Sequence, residues 1–70
     1  MEVLVFKTNV NSKRKVSVLA PMLTALPSVR KWNVDLDDCD KVLRIEATDL
    51  NPCAVERLLL AAGFDCRELD

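Results

Sequence analysis

Three cysteines, three consecutive cations and a cluster of acids are the residues of this 70-residue chain best placed to do chemistry. Cys39, Cys53 and Cys66 offer soft sulfur, the donor that suits Cu(I), zinc and iron–sulfur centres. Their number is odd and their spacing wide, so they make no disulfide framework and fit a reducing compartment. Lys13, Arg14 and Lys15 form a basic triplet, and Asp35, Asp37, Asp38 and Asp40 an acidic cluster. The acids lack the glycine and the distal glutamate of an EF-hand loop, which argues against calcium. The chain has no histidine, which removes the commonest general base and the commonest metal ligand. With no nucleophile–base pair and no glycine-rich phosphate loop, the reading is not an enzyme. Cys53, in the first turn of a helix, is the one thiol placed where activation occurs.

Composition narrows the classes further. Hydrophobic residues make up 50% of the chain and charged residues 30%, with 11 acids against 10 bases. That balance describes a small packed core rather than disorder, and it lacks the basic excess of a nucleic-acid binder. No run approaches the roughly 20 apolar residues of a membrane-spanning helix. The N-terminal MEVLVFKTN reads as a strand, without the basic region or cleavage site of a signal peptide. The expected location is therefore the cytoplasm.

The elements that must hold these groups follow from periodicity. Leu4, Phe6 and Val10 recur on one face of a strand over residues 2–10, with Val3 and Val5 on the other. Ser12 is an N-cap candidate for a helix to Leu26, marked by the stripe Val16, Leu19, Leu23, Leu26. Pro21 interrupts that stripe at the loss of a hydrogen bond, with a kink expected, and Pro27 ends it. Trp32, Val34 and Leu36 alternate in a strand over 29–37. An acidic turn follows, then a strand over 41–48 with Leu43, Ile45 and Ala47 on one face. Asn51-Pro52 starts a second helix, whose stripe is Val55, Leu58, Leu59 and Ala62; Gly63 caps it. Residues 64–69 form a last strand. The order β-α-β-β-α-β predicts an α+β ferredoxin-like sandwich over residues 1–70, a four-stranded antiparallel sheet with two helices on one face.

The order of local patterns is more specific than the fold. Phe6-Lys7-Thr8-Asn9-Val10, then Leu19 and Leu23, then Val29 and Trp32-Asn33-Val34-Asp35, then Ala62-Gly63-Phe64 run in one sequence. Together they resemble the heavy-metal-associated domain of copper chaperones over nearly the whole chain. In that register Val10 takes the apolar position before the metal loop, and Phe64 the aromatic whose ring sits beside the metal. The two positions of the family's Cys-x-x-Cys pair fall on Ser12 and Lys15. A hydroxyl is a hard, weak donor, and an ammonium has no lone pair. The pair of soft thiolates that suits Cu(I) is thus missing, and no metal or cofactor is expected at this loop.

The resemblance also implies that the first loop, the acidic turn and the start of the last strand share one end of the domain. Cys39 and Cys66 would then lie toward that end and Cys53 at the other. A metal site using Cys39 or Cys66 is the alternative reading. The plainer readings are an exposed turn residue at Cys39, a core thiol at Cys66 and a tolerated small residue at Cys53. The leading reading is a non-enzymatic module acting by protein–protein contact through Asn11, Ser12, Lys13, Arg14, Lys15 and Phe64. Lys13 to Lys15 would face an acidic partner, or be a solvated loop screened by the neighbouring acids. The resemblance points to a metal-transporting ATPase domain or another domain of the same fold as partner, with no nucleic acid and no membrane insertion. Trp32 would add a contact if it lay on the open face of the sheet. An exposed sheet edge leaves the oligomeric state open.

Overall fold

A computed structural model describes residues 1–69. Six elements follow one another: β1 (Glu2–Thr8), α1 (Lys13–Thr24), β2 (Val29–Val34), β3 (Leu43–Ala47), α2 (Pro52–Ala61) and β4 (Cys66–Glu68). The strands form one antiparallel sheet in the order β2-β3-β1-β4. This is the expected ferredoxin-like βαββαβ arrangement.

Alternation decides which face is covered. Leu4, Phe6 and Thr8 on β1 and Leu43, Ile45 and Ala47 on β3 are buried. Leu19 and Leu23 of α1 and Val55 and Leu59 of α2 complete the core on that side. Both helices therefore lie on one face, because a sheet with a single apolar face needs one apolar layer against it.

The ends of the elements are set by local hydrogen bonds. Ser12 caps α1, its Oγ accepting from the Lys15 amide at 3.2 Å. Asn51 caps α2, its Oδ1 accepting from the Cys53 amide at 2.9 Å, with Pro52 at the first helical position. Helix α1 runs through Pro21, which lies on an exposed side. It stops at Thr24, short of the expected Leu26, because the residue before Pro27 is pushed out of the helical region. At the end of α2, Gly63 adopts φ +92°. The Phe64 amide then donates to Leu59 O at 2.9 Å and the Gly63 amide to Leu60 O at 3.0 Å, a Schellman closure.

The strands are shorter than alternation suggested, for reasons of the same kind. Strand β1 ends at Thr8, whose hydroxyl accepts from the Val10 amide at 3.2 Å and turns the chain. Strand β2 ends at Val34, since the Asp35 carboxylate accepts from the Asp37 amide at 3.1 Å. Strand β3 begins at Leu43, after Lys41 at φ +46°. Residues 64–65 belong to the helix closure and its exit, so β4 is only three residues long.

Trp32 is not on the open face. It pairs with Ile45, which is fully buried, so its side chain stands on the helix-covered side and packs against the core at the β2 edge.

Candidate functional site

The β1–α1 loop is the tip of the molecule's chemically interesting end. Thr8 holds it from below. Its hydroxyl donates to Lys41 O at 2.6 Å while its own amide donates to Asp40 O at 3.1 Å. Asn9 ties the other side, its Oδ1 accepting from the Asp65 amide at 2.9 Å. These bonds bring the first loop, the β2–β3 turn and the approach to β4 together, as the resemblance implied. Val10 is fully buried beneath the loop. The tip is thus a stapled structure built on a buried threonine. Sequence reasoning missed Thr8 and Asn9; the available signal was two hydrogen-bonding side chains at a strand end, a pattern that favours tight turns.

The candidate contact residues divide by exposure. Asn11, Lys13 and Arg14 are exposed, and Ser12 and Lys15 are half-buried. Phe64 differs. It is 9% exposed and belongs to the core cluster, so it supports the loop and offers a partner almost no surface. The Schellman closure that precedes it directs the ring inward.

Electrostatics at the tip oppose local stability. The first turn of α1 contains no acid, and it carries Lys13, Arg14 and Lys15 at the positive end of the helix dipole. Ser12 is the N-cap, so Lys15 occupies the third helical position, where glutamate would complete a capping box. The nearby acids do not neutralise these charges by contact. Among the described residues the ion pair formed at this end is Lys7–Asp40 at 3.4 Å, exposed on both sides. The acids serve the turn instead: Asp35 accepts from the Asp37 amide, and Asp38 from the Asp40 amide at 2.8 Å. The Lys41 ammonium closes the same loop by donating to Leu36 O at 2.7 Å. The two charge runs form no ion pair with each other among the described residues.

The thiols lie elsewhere. Cys39 is exposed in the acidic turn and Cys53 exposed at the start of α2. Cys66 is half-buried, opposite Thr8 and against the core. Burial, and then the charge of Glu56, push its thiol up to about 12, so it stays protonated at neutral pH. Ligand atoms of Asp38, Cys39 and Asp40 lie within 4.8 Å of one another. Two of these are hard oxygens, Asp38 accepting within the turn and Asp40 paired with Lys7, a donor set that does not suit Cu(I). At the tip itself the Ser12 hydroxyl is committed as a helix cap. The residues present do not fit a thiolate-bound metal there.

No family model matches the chain, and no curated protein matches its sequence. Solved structures do. The chain shares their fold. One comes from work on crosstalk between Cu(I) and Zn(II) homeostasis, with a TM-score of 0.83, 13% identity and coverage of 99% of this chain and 100% of that one. Another is a chain of the solution structure of the Atx1–Cu(I)–Ccc2a complex, with a TM-score of 0.85, 15% identity and coverage of 100% and 97%. The fold read from the sequence thus recurs in both solved structures over essentially the whole chain. No helix among the described residues is long and apolar enough to cross a membrane.

Proposed function

We propose that this domain is a non-enzymatic contact module that docks its basic tip on an acidic protein surface, without metal held at the β1–α1 loop. The observation that carries the reading is the conflict at the start of α1. A serine cap with lysine at the third helical position, and two further cations beside it, forfeits local stability that a glutamate would supply. Departures from local consistency concentrate at functional sites. The bonds from Thr8 and Asn9 that tie the loop to Lys41 and Asp65 support the reading.

The partner suggested by the fold is a domain of the same kind or a domain of a metal-transporting ATPase. A related fold occurs in a complex of two proteins, Atx1 and Ccc2a, with Cu(I). In the present chain the Lys15 ammonium supplies positive charge where such a loop would otherwise hold a metal.

Two measurements test the reading. Lys15→Glu completes the capping box, so it should raise thermal stability while weakening docking on an acidic domain of this fold. Unchanged docking would remove the role of the tip. Cu(I) titration under reducing conditions tests the other half. Tight one-to-one binding, abolished by Cys39→Ser or Cys66→Ser, would replace this reading with that of a metal carrier using a different site.

A further inference from the structure

The sheet has a second face, and no helix or strand among the described residues covers it. Alternation places Val3, Val5 and Lys7 of β1 there, with Arg44 and Glu46 of β3, which pair with Val5 and Val3. Arg67 of β4 pairs with Lys7, and Lys31 and Asn33 of β2 pair with Glu46 and Arg44. The Leu69 amide donates to Val5 O at 2.8 Å, which brings Leu69 beside Val5 on the same side.

Two properties set this face apart. Its centre is aliphatic, although the solvent side of an antiparallel sheet is ordinarily polar. Val3 is 57% exposed and Leu69 37%. Around that centre stand Lys7, Lys31, Arg44 and Arg67, with Glu46 the one acid among the paired positions of this face; the neighbouring Asp40 reaches Lys7 from the β2–β3 turn. A chain of net charge −1 thus concentrates cations on one side. Lys7 and Arg67, with the single acid Asp65, also border a groove of about 380 Å³ that reaches Leu60 of α2, itself 59% exposed.

We propose that this open face and the adjoining groove form a second docking surface, for a protein partner that presents apolar residues within an acidic rim. The proposed surface is separate from the basic triplet at the start of α1, and its groove reaches the tip only at its base, at Thr8 and Asn9. Charge complementarity selects the partner: a basic rim repels a second copy of itself and attracts carboxylates. A nucleic acid would share the attraction but would stack on aromatic rings. Phe6, Trp32 and Phe64, all the aromatics of the chain, lie on the other side of the sheet or in the core. An anionic membrane would favour protruding wedges such as tryptophan or phenylalanine, whereas Val3 and Val5 stand on the central strand of a sheet.

The test is an NMR titration of the full isotope-labelled chain with a synthetic amphipathic peptide of leucine and glutamate. Amide shifts should saturate and should centre on Val3, Val5, Arg44, Glu46, Arg67 and Leu69. Arg44→Glu combined with Arg67→Glu should weaken binding about tenfold or more, and raised salt should weaken it too. Val3→Ser tests the apolar centre without changing charge and should weaken binding at every salt concentration. Lys15→Glu should leave binding unchanged. Shifts confined to α1, no saturable shift at millimolar peptide, or equal binding of a single-stranded oligonucleotide or of anionic vesicles would overturn the proposal. So would self-association of the face that grows with salt.

Discussion

The two helices of this domain start in the same way and for opposite ends. Each N-cap side chain accepts one amide, Ser12 from Lys15 and Asn51 from Cys53, and neither first turn contains an acid. Beyond the cap they diverge. Helix α2 adds Pro52, which favours the fold, and carries an exposed thiol at Cys53. Helix α1 adds three cations, which oppose its dipole, and contains no cysteine. The start of α2 is therefore explained by folding alone. The start of α1 is held against its own electrostatics by a buried threonine and an asparagine, and this imbalance is what the proposed docking role of the tip accounts for.

The strongest way to break that contrast is to remove the staple. Thr8→Val keeps the shape but strands the Lys41 carbonyl and the Val10 amide, so it should cost about 2 kcal/mol and lower the melting temperature by roughly 10 °C. Equilibrium unfolding in urea measures it, and a loss within error of zero would mean the tip is not held from below. The caps come next. Ser12→Ala and Asn51→Ala should each cost about 1 kcal/mol. A much smaller loss at Ser12 would show the α1 cap to be redundant with the Thr8 tie.

Charge changes sharpen the comparison with smaller effects. Lys13→Glu should stabilise the domain by a few tenths of a kcal/mol, more at low salt than at high. A destabilisation would indicate that the cations have a structural partner. The smallest effect concerns the thiols. Alkylation followed by mass spectrometry at mildly alkaline pH should label the exposed Cys39 and Cys53 first and Cys66 last. The Cys66 thiol is raised from 9.0 to about 12, first by burial and then by Glu56. The unfolded chain therefore loses this proton before the folded one, and the Cys66 contribution to stability falls as pH rises from about 9 toward 12. Cys66→Ala should flatten that slope.

Much of this was legible before any coordinates. Period-two burial on β1 and β3, the Asn51-Pro52 start and the Gly63 closure are local codes, and the structure follows them. The βαββαβ order came from the same patterns. The ends of the strands were less legible, because Thr8, Asp35 and Lys41 end pairing through bonds to nearby groups that alternation does not register. Trp32 was ambiguous for another reason. Its face depends on its pairing with Ile45, which no period within β2 can specify.

The sequence alone determined the donor chemistry of the tip. A hydroxyl and an ammonium occupy positions 12 and 15 whatever the fold, and no arrangement of the backbone turns them into thiolates. Only the tertiary structure decided what stands around them. It placed Thr8 against Lys41, 33 residues away, and Asn9 against Asp65, 56 residues away. It also turned Phe64 inward and left Val3 and Leu69 exposed around a half-buried Val5. Those outcomes rest on contacts between residues distant in the chain, which become neighbours only when both helices settle on the same face of the sheet.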